Sequence, residues 1–107
     1  MGIYQTLLET GLPCAYGRFK EAIEPPFLIY LGNGQHRFLA DDTHYYSANK
    51  YQVEYYFINK NEEAEQRIEQ TLLDAGYLFE KSVDEYIDSE DVFVIYYYTS
   101  ERIGKNG

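Results

Sequence analysis

Several residue types are scarce in this chain of 107 residues, which has one cysteine, three prolines and no tryptophan. The single cysteine, Cys14, excludes a disulfide within the chain and any multi-cysteine metal site. Its neighbours Pro13 and Ala15 offer no base that would activate a thiolate, so we expect a buried or bystander thiol. The apolar runs at residues 27–31 and 92–98 fall far short of the roughly 20 residues that a membrane-spanning helix needs. No basic start leads into an apolar segment of the kind found in secretory signals.

Positive charge is scarce as well, since nine Lys and Arg residues face 18 Asp and Glu residues and the formal net charge is −9. Affinity for nucleic acid comes largely from cations that displace counterions at phosphates. The composition therefore argues against a nucleic-acid binder, and also against binding to acidic membrane surfaces. The expected partners are proteins, with no sequence-specific nucleic acid and no membrane among them.

Motifs that carry catalytic or metal chemistry are also lacking. His36 and His44, with Asp41 and Asp42 between them, are residue types that bind zinc or iron, but no HxH or HExxH spacing places them on one face. We expect surface histidines here, and a metal-dependent enzyme built on these residues is the alternative. The acidic segment at residues 84–91 holds five carboxylates yet lacks the turn glycine and the alternating ligands of a calcium loop. The sequence thus predicts no enzyme, no catalytic or metal site and no cofactor.

Periodicity and turn signals predict a single domain over residues 1–107, with a flexible tail at about residues 100–107. Strands joined by hairpin-length connections favour a mainly antiparallel or mixed sheet with two helices on one face, which is an α+β fold of order α-β-β-β-α-β-β. The predicted elements are helices at residues 3–10 and from a cap among residues 59–62 to about residue 75, and strands at residues 27–31, 35–40, 51–59, 77–83 and 92–99.

Three of the predicted connections have distinct signals. The sequence Gly32-Asn33-Gly34 predicts a hairpin turn because both residue types tolerate positive φ. Residues 41–50 predict a polar loop, and residues 12–24 an extended connection without sustained periodicity. In the strand that begins at residue 51, alternation places on one face Tyr51, Val53, Tyr55 and Phe57, and on the other Gln52, Glu54 and Tyr56.

Tyrosine is in marked excess, with 13 of the 107 positions. Tyr96, Tyr97 and Tyr98 are consecutive and must occupy both faces of a strand, since strand side chains alternate. If helices cover one face, some of these rings remain outside, where tyrosine offers a partner large apolar area and a hydroxyl that is satisfied in water. We therefore expect a protein–protein interface, and tyrosines that merely fill a solvated strand face are the alternative. The predicted interface residues are Tyr45, Tyr46, Tyr56, Tyr86, Tyr97, Asp84, Asp88 and Glu90.

A series of diffuse patterns over residues 3–100 resembles a known family. TGLPCAYGRF follows a short helix, PPFLIYL precedes a polar loop and NKYQVEYY, and an acidic helix ends at Ala75-Gly76 before YLFEK and a tyrosine-rich last strand. Together they resemble the head–tail joining and tail-terminator proteins of siphophages and prophages of Gram-positive bacteria.

The resemblance implies a structural virion protein at the head–tail junction, assembled in the cytoplasm of the host. It implies a homo-oligomeric, hexameric ring that caps the tail tube and contacts the major tail tube protein and the head connector protein. It also suggests that Asp84, Asp88 and Glu90 help to form a lumen that does not grip DNA, because like charges repel. The alternatives are a connector or stopper protein of the same junction, or a small bacterial regulatory or ligand-binding α+β domain.

Overall fold

The computed structural model describes the backbone of residues 2–39 and 45–101, and the side chains of residues 2–32 and 50–101. The elements in these ranges are α1 (Ile3–Leu8), β1 (Cys14–Tyr16), β2 (Phe27–Leu39), β3 (Tyr45–Phe57), α2 (Glu62–Asp74), β4 (Tyr77–Lys81), β5 (Glu85–Ile87) and β6 (Val92–Glu101). The predicted α+β class and the order α-β-β-β-α-β-β are confirmed, and β5 is an additional strand of three residues in the acidic segment. Neither of the two described helices is long and apolar enough to cross a membrane.

All six strands belong to one sheet, in the order β1-β2-β3-β6-β4. β1 runs parallel to β2, and every other pair is antiparallel. Because β3 occupies one edge of β6 over residues 93–100, the short strand β5 pairs with the other edge, at the end opposite β4. The sheet is therefore mixed, with β1 on one side and β4 with β5 on the other.

Both helices pack on one face of this sheet. α2 presents Ile68 and Leu72, four residues apart on one side of the helix, and α1 presents Ile3 and Leu7 in the same way. The apolar groups bury themselves against alternate residues of the central strands, as the alternation in β3 predicts. The sheet residues of this core are Cys14, Leu28, Val53, Tyr55, Phe57, Tyr77, Ile95 and Tyr97.

Local signals explain where the helices begin and end. Gly11 (φ +83°) and Gly76 (φ +92°) adopt the left-handed conformation after α1 and α2, which a residue without Cβ reaches at little cost. The Asn61 side chain caps α2, since its Oδ1 accepts a hydrogen bond from the Ala64 N–H at 3.1 Å. The cap therefore lies within the predicted range of residues 59–62, but Asn59 is not the residue that makes it.

The hairpin turn predicted at Gly32-Asn33-Gly34 is wrong, because β2 continues through it to Leu39. Gly32 pairs with Tyr51 and Gln35 pairs with Asn49, so β2 carries one more residue than β3 between these pairs, which is a β-bulge. Glycines permit a bulge for the same conformational reason that they permit a turn. The glycines therefore lie within a continuous strand, and pairing with β3 decides this outcome.

Three further boundaries differ from the sequence predictions. β3 begins at Tyr45, so residues 45–50 of the predicted loop are strand, while residues 40–44 lie outside the described residues. β1 forms within the predicted extended connection, where its parallel pairing with β2 supplies the hydrogen bonds that short local periodicity does not reveal. β6 extends through Glu101, two residues into the predicted tail.

Candidate protein–protein interface

The helix-free face of the sheet consists of the residues that alternate with the core positions. Along β3 and β6 these residues pair as Tyr56 with Val94, Glu54 with Tyr96, and Gln52 with Tyr98. No helix among the described residues covers this face, yet it is rich in aromatic rings. The helix-free face is defined here by Phe27, Ile29, Leu31, Gln52, Glu54, Tyr56, Leu78, Val94, Tyr96 and Tyr98.

One end of the helix-free face is covered by the loop that follows β1. The Phe19 ring meets Phe27 edge-on with centroids 5.2 Å apart, and Phe27 stacks on Tyr56 at 5.0 Å. At the other end, Tyr98 and Leu78 remain 42% and 48% exposed. Tyr96 stacks on Tyr98 with centroids 6.1 Å apart, so aromatic surface extends from the covered end to the exposed end.

A groove of about 390 Å³ lies at the exposed end of this face. Tyr98 and Leu78 border it together with the paired backbones of β4 and β6. Its walls are mixed, with polar as well as apolar groups, and a concave site of this kind can receive a large amphipathic side chain of a partner, as anchor residues do at protein interfaces. Its lining residues are Lys50, Leu78, Phe79, Glu80, Tyr98, Thr99 and Ser100.

A carboxylate lies at the centre of the helix-free face. Glu54 is only 8% exposed, and it accepts hydrogen bonds from the Tyr56 hydroxyl and the Gln52 amide nitrogen, both at 2.7 Å. Burial, followed by the hydrogen bond to Glu54, raises the pKa of Tyr56, so this hydroxyl stays protonated and remains a donor. None of the salt bridges between described residues includes Glu54. A buried charge held by two neutral donors retains free acceptor sites for a cation.

A two-stranded ribbon leaves the sheet beside this face. The pairing of β3 with β6 ends at Lys50 and Ser100, and beyond that point the described pairing of β3 is with β2. Five register pairs follow, from Gln35–Asn49 to Leu39–Tyr45, and they extend the ribbon by about 17 Å. The ribbon, residues 35–39 and 45–49, is therefore an arm that projects from the six-stranded body.

The structure brings some of the predicted interface residues together. Tyr56 lies on the helix-free face, and Glu90 is close enough to contribute to the raised pKa of its hydroxyl. Tyr86 lies at the β5 edge, half exposed, and its hydroxyl donates to an Asp91 carboxylate oxygen at 2.5 Å. Asp84, Asp88 and Glu90 are exposed on the same acidic segment. Asp84 is partly neutralised by Lys60 at 3.0 Å.

Tyr97 does not belong to the surface, and its expected exposure is wrong. Its side chain is completely buried on the helix side of β6, and its hydroxyl donates to a Glu69 carboxylate oxygen at 2.8 Å. Tyr45 and Tyr46 lie in the ribbon, where their side chains are outside the described residues. Alternation within Tyr96–Tyr97–Tyr98 places Tyr97 on the face opposite the other two rings, but it does not tell which of the two faces the helices cover.

Sequence reasoning missed several parts of this surface. The exposure of Leu78 has no signal in the sequence, because a single leucine in a short strand is expected to be buried. The Glu54 carboxylate is a buried acceptor because Gln52 and Tyr56 donate hydrogen bonds to it. Alternation along the strand places these three residues on one face, but it does not predict that they bond to one another. The sequence does not reveal the projecting ribbon, because the glycines at the bulge carry the same signal as a turn.

A metal site has no support among the described side chains, where no three His, Cys, Asp or Glu residues come together. The alternative built on His36, Asp41, Asp42 and His44 lies outside them. Cys14 is buried, which raises the pKa of its thiol to about 11. Its thiolate is therefore disfavoured at neutral pH.

Comparison with known proteins finds a solved structure that contains a chain of similar fold. No protein-family model matches the chain, and no curated protein matches it. Among solved structures, the chain is similar to one in the structure described as "Virion of native gene transfer agent (GTA) particle", with a TM-score of 0.60 and 11% sequence identity. The similarity covers 94% of this chain and 90% of that chain, so it extends over nearly the full length of both.

Proposed function

We propose that this chain is a structural subunit of a phage-like virion and that it acts by assembly rather than by catalysis. The similarity over nearly the full length of a virion chain supports this class. Within the class, we propose that the subunit forms a ring at the head–tail junction, caps the tail tube and contacts the head connector, as the resemblance noted in the sequence implies.

The observation that carries the proposal is the ribbon that projects from the body beside an aromatic face without a helix. A two-stranded hairpin is marginally stable by itself in water, so contact with another subunit would stabilise the ribbon. The ribbon and the helix-free face are different surfaces. If one binds the other, the contact is head-to-tail, and such contacts generate a closed ring when the rotation between subunits closes.

The first experiment asks whether the chain assembles and where. Mass photometry and negative-stain microscopy of the purified chain over a concentration series should show rings, and antibody labelling should find the chain in released particles at the head–tail junction. A variant in which residues 36–48 are replaced by a two-residue turn, which keeps the Gln35–Asn49 pair, should retain its circular dichroism spectrum and stay monomeric. A chain that is monomeric at every concentration and absent from particles would refute the proposal.

A regulatory or ligand-binding domain predicts a different result, namely a stable dimer with a small molecule in the groove beside Tyr98. A connector or stopper protein predicts rings that bind the portal side rather than the tail tube. Immunogold labelling of heads and tails purified separately distinguishes the two junction roles.

The acidic segment has a proposed role in the ring. Asp84, Asp88 and Glu90 are exposed, and if the β5 edge borders the lumen their charges would keep DNA from adhering to it. Replacing all three by the corresponding amides should lower the efficiency of DNA delivery without changing particle number. Unchanged delivery would count against this placement.

A further inference from the structure

We infer that the two outer edges of the sheet join in the assembly, so that the β1 edge of one copy receives the β4 edge of the next copy. This inference rests on the proposed function, because it names a contact between adjacent subunits of the ring. It adds a second contact to the one proposed for the ribbon, and it depends on strands and side chains of the body alone.

Both terminal strands of the sheet have an outer edge that no described strand occupies. The order β1-β2-β3-β6-β4 places β1 and β4 at opposite ends. At the end of β4, the Ser82 N–H donates to the Tyr96 carbonyl oxygen at 2.8 Å. Because the direction of backbone groups alternates along a strand, Phe79 and Lys81 direct their N–H and C=O groups away from β6, toward the outer edge. An edge of this kind can pair with a further strand.

A second copy in the same orientation continues the sheet with antiparallel strands at the junction. β1 is parallel to β2, and β2 runs in the direction of β6 because each is antiparallel to β3. β4 is antiparallel to β6 and therefore also to β1. The helix layer continues as well, since α1 contacts β1, α2 contacts β4, and the two helices contact each other within one subunit. At the junction, α2 of one copy lies beside α1 of the next.

Exposed aromatic and aliphatic side chains line the β1 edge. Tyr16 is 64% exposed at the end of β1, and its ring meets Tyr30 edge-on with centroids 5.3 Å apart. Tyr4 of α1 also contacts Tyr30, with centroids 6.1 Å apart, and Leu8 lies one helix turn after Tyr4. Tyr4 and Leu8 are both exposed. Tyrosine hydroxyls keep such a surface compatible with water in the free subunit and leave the rings available to a partner.

The β4 edge offers apolar side chains on both sides of the sheet. On the helix side, Leu73 is exposed and lies four residues after Glu69, whose carboxylate contacts Lys81 Nζ of β4 at 2.7 Å. Leu73 therefore belongs to the row of α2 that faces β4. On the helix-free side, Leu78 is exposed. β4 contains no proline and pairs with β6 without a bulge, so neither of these features blocks the addition of a strand.

A second copy of the chain is the occupant that both edges fit. Two copies that each carry a net charge of −9 repel, so their contact is favoured where the surfaces are uncharged. Both edges supply uncharged apolar side chains beside open backbone groups. Because the two edges lie at opposite ends of the sheet, their contact is head-to-tail, and contacts of this type generate a closed ring when the rotation between subunits closes.

Cysteine crosslinking between single variants tests the contact directly. In a Cys14→Ala background, Ala15→Cys places a thiol on the helix-free side of β1, and Leu78→Cys or Glu80→Cys places one on the same side of β4. A size-tagged Ala15→Cys chain is mixed with either β4 variant, assembled and treated with a mild oxidant. We expect a covalent dimer of mixed size, because a disulfide forms where Cα atoms approach within about 7 Å.

Two controls accompany the crosslinking. Each single variant alone should remain largely uncrosslinked, because its thiol lies at only one of the two edges. The tagged Ala15→Cys chain mixed with an Ile58→Cys chain should also give little product, since Ile58 is exposed but follows the end of β3, away from both edges.

Self-association gives a second readout. Tyr16→Ser and Leu73→Ser should each weaken ring formation at least ~10-fold in sedimentation velocity, as the truncation of an interface anchor does. The double variant should be weakened by less than the product of the two single effects, because both changes remove the same contact. Ile58→Ser, the same change at another exposed apolar position, should associate like the parent chain. Circular dichroism and thermal unfolding check that each variant remains folded.

The outcomes separate this inference from the proposed function. Rings that form without the mixed dimer, and with parental affinity in Tyr16→Ser and Leu73→Ser, overturn the inference and leave the assembly role intact. A chain that is absent from particles and never oligomerises overturns the role itself. A mixed dimer with Ile58→Cys as abundant as that with the β4 variants shows random collision and counts against the contact. Crosslinking of the Ala15→Cys chain only to a different virion protein shows another occupant and also overturns it.

Discussion

The Glu65 carboxylate of α2 is buried, and replacing it tests how much its contacts with two lysines stabilise the packing of α2 on the sheet. Glu65 is 3% exposed, and its two carboxylate oxygens lie 2.8 Å from Lys60 Nζ and 2.9 Å from Lys81 Nζ. The Lys81 contact is a hydrogen bond. The Lys60 contact is close, but it leaves Oε2 without a hydrogen bond of good geometry, so it acts mainly through charge. The perturbation is Glu65→Gln, which keeps the size of the side chain and removes its charge.

The solvent exposure of the two lysines determines how much this substitution lowers the free energy of unfolding. Breaking a fully buried ion pair costs about 3–5 kcal/mol, because the remaining charge is stranded away from water. Here the lysine side chains are 45% and 35% exposed, so water solvates them when Glu65 is neutralised. The change should therefore cost about the value of one hydrogen bond to a charged group, discounted for screening, which is about 1–2 kcal/mol.

Urea unfolding followed by circular dichroism measures this difference. The matched control is Glu63→Gln, an exposed glutamate two residues away in the same helix turn, which should change the free energy of unfolding by less than about 0.5 kcal/mol. Equal stability of the two variants, or a more stable Glu65→Gln variant, would refute the idea that the lysine pair offsets the burial of Glu65.

Three more predictions follow from individual side chains. The pKa of Tyr97 is raised by burial and by its hydrogen bond to Glu69. The stability that the protonated Tyr97 hydroxyl contributes is therefore fully present below about pH 10, and it is lost as the pH rises above that value. Urea midpoints between pH 8 and 12 should therefore fall less steeply in Tyr97→Phe than in the parent chain, and parallel curves would contradict this. The Cys14 thiol, with its pKa raised to about 11, should react with a thiol reagent at pH 8 far more slowly in the folded chain than in urea; equal rates would show that the site is open. Asn61→Ala should cost about 1 kcal/mol in thermal or urea unfolding because it removes the α2 cap, whereas Asn59→Ala, which removes the other candidate cap, should be close to neutral.

Much of the fold follows from local patterns that depend only on residues close together in the sequence. Alternation in β3 predicts the buried face of Val53, Tyr55 and Phe57, because a strand directs successive side chains to opposite sides wherever it packs. Gly11 and Gly76 mark the ends of both helices, because the left-handed conformation depends on the residue alone. These signals are sufficient for the α+β class and for the order of its main elements.

The candidate site was less predictable, because its properties depend on which face the helices cover. The excess of tyrosine is visible in the sequence, but the burial of Tyr97 and the exposure of Tyr98 depend on the packing of α1 and α2 against alternate residues of β6. Burial of Glu54 likewise needs Tyr56 and Gln52 to donate across one face, which a linear pattern shows only as spacing.

Amino-acid order alone therefore set the alternating faces of the central strands, the helix ends and the presence of surplus aromatic rings, since each follows from conformational preferences within a few residues. Tertiary structure decided that Gly32-Asn33-Gly34 forms a bulge rather than a turn, because only pairing with β3 across the sheet selects between two conformations that glycine permits equally. That choice merges two predicted strands into one, and it creates the projecting ribbon on which the assembly proposal depends.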